Sequence, residues 1–392
     1  MKKALKIAVY SGDIPSTTFI ERLINGLSNE VCEIYLFGFR KRKVSYNKNV
    51  SVFAYRNTRI RKAIFLLKYS FLLFFFKSKE KQKLDLILKK QSKNLLLDKV
   101  KSYPVLWHKP DVFHLQWAKG LADWVWVKEF DIKLILSLRG AHINYSPIAD
   151  TALAAMYREN FPKVNAFHAV SKAIGLEAEK YGAAKEKIQV VYSGLPEVTV
   201  AIKNKKPNAV FQIISVGRAH WKKGYTYALD ACKILKDNNV KFHYTIIGGA
   251  KDVEYAYQLH DLDLLDVVTL LDNVTYPKVQ SLMQDSDLLL LPSVEEGIAN
   301  VVLEAMQHKT LVLTTNCGGM DEVIVDGVNG FIVPIRDSEA IAKKIQEIQT
   351  IDEAEREAIC NKALAHLEEK HQEQKMVSSM LALYQRIQNN EA

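Results

Sequence analysis

Short apolar runs alternate along this chain with stretches whose apolar residues recur every three or four positions. In the first half, Lys6–Tyr10, Val31–Phe37, Asp111–Leu115, Lys133–Leu138, Ala166–Val170 and Ile188–Tyr192 are runs short enough for buried strands. Phe19–Leu27 and Ser171–Tyr181 carry the helical period, and Ser171 is a natural N-cap. Gly194–Asn208 holds prolines and charges without period and reads as an interdomain linker. The alternation then resumes. Strands are expected at Val210–Val216, Phe242–Ile247, Val267–Leu271, Leu288–Leu291, Leu311–Thr315 and Phe331–Val333, and helices at Ser338–Ile348, Glu353–Glu369 and Gln374–Gln388. Such alternation predicts parallel sheets covered on both faces. The expectation is an α/β chain of two doubly wound, Rossmann-like domains facing a central cleft. They would span residues 1–197 and 205–373, with the last helix, about 374–392, packing back on the first domain.

Length and composition agree with this division. A chain of 392 residues exceeds one ordinary core, and 48% hydrophobic with 25% charged residues suits a globular protein. Cys32, Cys232, Cys317 and Cys360 lie far apart and form no CxxC pair, which argues against a zinc site or a disulfide framework. The opening MKKALKIAVYSGD is too short in apolar length for a secretory leader and reads as a first strand, so a cytoplasmic protein is expected.

The formal charge of +10 changes the picture, because it is concentrated between Arg56 and Lys101. That stretch contains the apolar run Ala63–Phe76, interrupted only by Lys68 and followed by KSKEKQK. The run is too short to span a bilayer. Aromatic and leucine residues beside lysines suit a helix lying in an anionic membrane interface over Ala63–Lys83, so peripheral attachment to the inner face of the cell membrane is expected. A core helix followed by a solvated basic one is the alternative. No nucleic-acid motif accompanies the charge, and nucleic acid is not an expected partner.

In open α/β sheets ligands bind beyond the C-terminal strand ends, which is where candidate chemistry is sought. The strand Leu288–Leu291 is stopped by Pro292, and a helix opens near Ile298 or Ala299. Glu304 stands in that helix among Val301, Val302, Leu303, Ala305 and Met306. A buried carboxylate needs partners: ligand hydroxyls would serve, as would a buried cation or backbone amide. Glu296 lies eight positions earlier at the loop-to-helix junction. Gly297 allows close approach of a ligand, and the free amides of Ile298, Ala299, Asn300 and Val301 would open the helix and offer a site for a phosphate. Two carboxylates and a helix N-terminus suit a ligand combining sugar with diphosphate. Upstream, Val216-Gly217-Arg218 ends a strand and Lys223 precedes Gly224. Arginine and lysine there either hold a diphosphate or are ordinary surface charges. No phosphate-binding GxxxxGK[ST] loop or dinucleotide GxGxxG loop occurs.

The runs SVEEGIANVVLEAM and SVGRAHWKKG, with SDLLLLPS and the glycine-rich stretch Gly318–Val333, resemble the retaining glycosyltransferases of family 4, which have the GT-B fold. The resemblance is strong over Val210–Ile348 and looser before it. It implies that Glu304 holds the ribose hydroxyls and that Glu296 contacts the donor sugar near the reacting carbon. Arg218 and Lys223 would hold the diphosphate, aided by Gly217, Gly297 and the amides around Ala299–Val301. The nucleobase edge would meet backbone near Leu271. In the first half, Gly12 would lie in a loop Ser11–Phe19 near the phosphates, with Ser16 and Thr17 as polar contacts. Arg139-Gly140-Ala141-His142 stands where family members carry His-Gly-x-Asp, so Arg139 would meet an anionic group on donor or acceptor, with His142 and His114 nearby.

The resemblance further implies a metal-independent hexosyltransferase without a cofactor. Its co-substrate would be a UDP- or GDP-sugar and its acceptor a glycan or lipid-linked hydroxyl in cell-surface polysaccharide synthesis. A nucleotide-sugar epimerase or phosphorylase of the same fold is the alternative enzyme. A non-catalytic basic protein binding membrane or nucleic acid is the alternative of another class.

Overall fold

The computed structural model describes residues 4–196 and 210–389. The chain divides into two compact units, Met1–Tyr192 with Glu373–Ala392, and Ser193–Gln372. The linker expected at Gly194–Asn208 falls outside the described residues beyond Pro196.

The first unit is built on a seven-stranded parallel sheet of order β3-β2-β1-β4-β5-β6-β7. Its strands are β1 (Leu5–Ile14), β2 (Cys32–Arg40), β3 (Val50–Tyr55), β4 (Val112–Leu115), β5 (Lys133–Leu138), β6 (Ala166–Ala169) and β7 (Ile188–Val190). Helices α1 (Thr18–Leu27), α2 (Arg59–Phe76), α3 (Ser78–Gln91), α4 (Leu95–His108), α5 (Gly140–Asn144), α6 (Ser146–Ala149), α7 (Thr151–Asn160) and α8 (Lys172–Glu179) connect them. The order turns at β1 and β4, which is where a doubly wound sheet opens its binding crevice. Ser171 caps α8 by accepting from the Ile174 amide at 3.1 Å.

The second unit carries a six-stranded parallel sheet of order β10-β9-β8-β11-β12-β13. Its strands are β8 (Phe211–Val216), β9 (Phe242–Ile247), β10 (Val268–Leu271), β11 (Leu288–Leu291), β12 (Leu311–Thr315) and β13 (Phe331–Val333). The helices are α9 (Tyr225–Asp237), α10 (Val253–Asp261), α11 (Tyr276–Asp285), α12 (Asn300–Gln307), α13 (Ser338–Gln349) and α14 (Glu353–Lys370). The four leucines of β11 are all buried, with apolar clusters on both faces of the sheet. That is why the run is continuous rather than alternating.

Helix α15 (Glu373–Gln388) returns to the first unit and packs along α1. Val377, Met380, Leu383 and Tyr384 complete the cluster formed by Ile20, Leu23, Ile24 and Ile34. Gly26 marks the closeness of this packing, because a Cβ there would lie 2.3 Å from Val377. The Tyr384 hydroxyl also bonds His114 Nδ1 at 2.8 Å.

Three local expectations need correction. β3 was not foreseen: all its residues but Tyr55 are only half-buried at a sheet edge, so VSVFAY gives a weak apolar signal. The segment Ser11–Ile14 is not a loop but the end of β1, which shifts register against β2 between Val9 and Gly12. Ala63–Lys83 is not one surface helix. Lys77 breaks it, and Tyr69 and Leu73 of α2 with Leu84 and Leu88 of α3 enter the core.

A chain of buried polar groups crosses the first sheet. His114 Nε2 bonds Ser137 Oγ at 2.8 Å, Ser137 Oγ bonds His168 Nδ1 at 2.9 Å, and His168 Nε2 meets the Val191 carbonyl at 3.0 Å. Burial pushes His168 down to about 3 and His114 well below its ordinary value. Both imidazoles therefore stay neutral in the fold and charge on unfolding. Their contribution to stability is complete above about pH 6.5 and is lost as pH falls toward the folded values, at roughly 1.4 kcal/mol per pH unit for each. Thermal melting followed from pH 7 to pH 5 should show a falling Tm, with a shallower slope in His168→Gln. A Tm independent of pH over that range would contradict the neutral assignment.

Candidate functional site

The strand ends of the second unit gather around one carboxylate. Glu296 follows β11 in a loop that leads to α12, and its side chain is 10% exposed. Lys223 Nζ lies 2.6 Å from Oε1 and Lys222 Nζ 3.2 Å from Oε2. Burial pushes the Glu296 carboxyl up, but the ammoniums of Lys223 and Lys222 pull it below its usual value. The cluster thus holds two cations against one anion at a strand end.

Backbone contacts position this cluster. The Val294 amide donates to the Lys222 carbonyl at 2.7 Å, joining the β8 and β11 loops. Tyr225 Oη donates to the Gly217 carbonyl at 3.1 Å, and Thr315 Oγ1 donates to the Ser293 carbonyl. The Gly319 amide donates to the Gly297 carbonyl at 2.9 Å. Two approaches demand glycine. Gly224 has φ +65°, and a Cβ there would lie 2.0 Å from the Pro292 carbonyl oxygen. Gly318 has φ +55°, and its Cβ would lie 1.7 Å from the Glu296 carbonyl oxygen.

Helix α12 begins at Asn300, one or two residues later than expected, with Ala299 as an N-cap that supplies no side-chain bond. Ile298 and Asn300 are half-buried and Ala299 is buried. Asn300 Oδ1 is a buried acceptor without a partner. Glu304 needs correction. It is partly exposed, while Val302, Leu303, Ala305 and Met306 make the buried face of α12. The apolar letters around it are shared between that face and the half-exposed Val301, so the sequence overstated its burial. Arg218 is exposed just beyond β8. Leu271 ends β10, and its carbonyl accepts from the Gly248 amide at 2.9 Å. Lys222 was missed by sequence reasoning. KK offered two candidates, and only the fold shows that Glu296 engages both.

No group of His, Cys, Asp and Glu suited to a metal ion occurs among the described residues. Asp261 and Asp263, both exposed, gather no such group, and Asp263 pairs with Lys236 at 3.1 Å.

In the first unit, Arg139 follows β5 and His142 sits in α5. Arg139 Nη2 donates to Gln116 Oε1 at 3.0 Å, and its guanidinium lies 4.5 Å from the Phe19 ring centroid. Arg139 Nε, Gln116 Nε2 and His142 Nδ1 are buried without partners. Trp117 lies 5.3 Å from the His142 ring and 6.0 Å from Phe19. Burial lowers Arg139 to about 10 and, with Lys119 and Arg139 nearby, His142 to about 4. These side chains cluster at the ends of β4 and β5 beside the start of α1. Ser16 and Thr17 stand at that same helix start: the Ser16 amide donates to Glu21 Oε1 at 2.6 Å, and Thr17 is the N-cap residue.

His114 does not join this cluster as a ligand contact. It is fully buried, and both ring nitrogens are engaged by Tyr384 and Ser137. Its place in the middle of the sheet, one residue before the end of β4, explains why its sequence position misled.

Residues 199–366 match the family model of the glycosyl transferases group 1. The chain is 27% identical over 239 residues to the putative colanic acid biosynthesis glycosyltransferase WcaL of Salmonella typhimurium, covering 59% of each chain. It is 27% identical over 266 residues to the amylovoran biosynthesis glycosyltransferase AmsK of Erwinia amylovora, covering 64% of each. In both cases the chain spans less than two thirds of the relative's length. The crystal structure of Anabaena HepE with UDP and glucose matches with a TM-score of 0.70 at 17% identity, over 96% of this chain and 98% of that one. The fold is GT-B, with a Rossmann-like parallel sheet in each unit.

The contact between Gly318 and the Glu296 backbone gives a direct test of how the cluster is held. Gly318→Ala should lower stability by about 1–3 kcal/mol from backbone strain alone, with the clash adding to it. Gly327→Ala shares the positive φ, +70°, but has nothing within 4 Å. Thermal denaturation should therefore place Gly318→Ala well below Gly327→Ala. Equal melting temperatures would show that the two loops are not packed together.

Proposed function

We propose that this chain is a metal-independent, retaining hexosyltransferase. It transfers a sugar from a nucleoside diphosphate sugar to an acceptor hydroxyl in the synthesis of a cell-surface polysaccharide or lipid-linked glycan. The observation that carries the reading is the Lys222–Glu296–Lys223 cluster at the approach to α12, inside the segment matching the group 1 model. Two ammoniums, the exposed Arg218 and the start of a helix suit a diphosphate. The names of WcaL and AmsK, both polysaccharide biosynthesis enzymes, support the pathway class. The UDP held by Anabaena HepE supports a uridine donor, with GDP as the competing base.

In this reading the bond from the anomeric carbon to the diphosphate oxygen breaks, and its electron pair leaves on the diphosphate. The acceptor oxygen bonds the same face of that carbon and gives up its proton to the departing diphosphate oxygen. Lys223, Lys222 and Arg218 stabilise the charge that gathers on the leaving group. Glu296 holds both ammoniums in place and meets the sugar, whose developing positive charge a carboxylate favours. Glu304 reaches the ribose hydroxyls, with Gly217, Gly297, Ile298, Ala299, Asn300 and Val301 around the phosphates and Leu271 at the base. In the first unit Gly12, Ser16, Thr17, Arg139 and His142 contribute to the sugar and acceptor side. Arg139 there meets no carboxylate among the described residues, which favours an anionic group on donor or acceptor. The enzyme works on the inner face of the membrane.

Losing one preorganised donor at a site of developing charge costs about 10²–10³ in rate. Turnover of Arg218→Ala and Lys223→Ala should fall on that scale while each variant keeps its melting transition; near-normal turnover in both sinks the assignment. Full activity in excess chelator is also expected, and loss restored by magnesium or manganese would refute metal independence. Incubation with donor alone should yield no epimer, which separates transfer from epimerisation.

A further inference from the structure

Helix α2 has two apolar faces, and only one is used by the fold. Tyr69 and Leu73 are buried, and Phe65, Leu66 and Leu72 pack against the same core. On the opposite side Ile60, Ile64, Leu67, Phe71, Phe74 and Phe75 are each at least 60% exposed. Their spacings of four, three and four residues, then three and four from Phe71, bring them onto one stripe of a helix turning 3.6 residues per turn. The stripe runs along roughly 22 Å of the 18-residue helix. Phe76, also exposed, ends the helix off this stripe. Contiguous exposed apolar surface of this kind marks an interaction face.

The charges beside the stripe choose its occupant. Arg56, Arg59, Arg61, Lys62, Lys68 and Lys77 lie on or beside α2, and no acidic residue occurs from Arg56 to Lys77. Arg59, Arg61 and Lys68 are exposed. A second copy of this chain docked through the same stripe would set these cations against their own counterparts. An anionic lipid surface instead attracts the cations while the phenylalanines enter the acyl boundary. No helix among the described residues is long and apolar enough to cross a membrane, so the helix lies in the interface plane.

We infer that the outward stripe of α2, from Ile60 to Phe75, is a docking face for anionic phospholipid membranes. The face is narrower than the stretch Ala63–Lys83 that the sequence suggests. α3 contributes Leu84 and Leu88 inward, and its Lys81 and Lys83 pair with Asp85 and Glu129. The inference stands on the exposed stripe and its charges, and holds whether or not the sugar-transfer reading does.

The test is sedimentation of the full chain with vesicles of phosphatidylcholine containing phosphatidylglycerol, against phosphatidylcholine alone. Binding is expected to the anionic vesicles, at least tenfold weaker without the anionic lipid and weakened by 0.5 M salt. The triple variant Phe71→Ser/Phe74→Ser/Phe75→Ser should lose binding tenfold or more while keeping the wild-type melting temperature, since these side chains support no core. The variant Arg59→Gln/Arg61→Gln/Lys68→Gln should lose the salt-dependent part with the stripe intact. Binding unchanged in both variants, or no binding to anionic vesicles at low salt, overturns the inference. A dimer in sedimentation equilibrium that the phenylalanine variant dissolves, with no vesicle binding, would assign the face to a second copy instead. Binding of UDP, followed by thermal shift, is unaffected by these variants, so failure here is separable from failure of the proposed activity.

Discussion

A carboxylate one-tenth exposed, held between two ammoniums, is the constraint around which the second unit's strand ends are arranged. Glu296 alone would be costly where it lies, and so would either lysine. Together they leave one net positive charge facing the strand ends. Glycine at positions 224 and 318 lets the neighbouring loops close onto Pro292 and Glu296 without side chains between. Removing the carboxylate would leave two buried like charges; removing the lysines would leave an anion where a diphosphate is expected.

The first unit solves a different problem with uncharged groups. His114, Ser137 and His168 form a hydrogen-bonded row between strands, held neutral by burial. The row ends near Gln116, whose Oε1 accepts from Arg139. A guanidinium that rests on an aromatic face and a single amide keeps donors to spare. The two units therefore offer contrasting environments: paired charges in one, and a guanidinium over an aromatic ring in the other.

Much of the fold was legible because parallel strands buried on both faces must be continuously apolar. Lys133–Leu138, Phe242–Ile247, Leu288–Leu291, Leu311–Thr315 and Phe331–Val333 have the same bounds in sequence and structure. Legibility fails where burial is partial. Val50–Tyr55 is an edge strand with half-covered residues, and Ser11–Ile14 reads as a turn although it continues β1. At the candidate site, the spacing of Glu296 and Glu304 was visible, but not which of them is buried. Residue type cannot tell which face of α12 a carboxylate occupies, nor that Lys222 shares Glu296 with Lys223. His114 shows the reverse: a histidine near a strand end looked chemical and proved to be structural.

Helix α15 has a consequence for how the protein comes into being. The chain leaves the first unit after Tyr192 and comes back to it only at Glu373. Met376, Val377, Met380, Leu383 and Tyr384 are part of a core whose other members are mostly in the first sheet and α1. A ribosome emits the chain in order, so the second unit has all its residues before the first does. The earlier half must wait, with part of α1 and of one sheet face uncovered, until the second unit has been made and α15 follows it. A chaperone or nearby surface that shields α1 during that interval would act on a vulnerability written into the order of the elements.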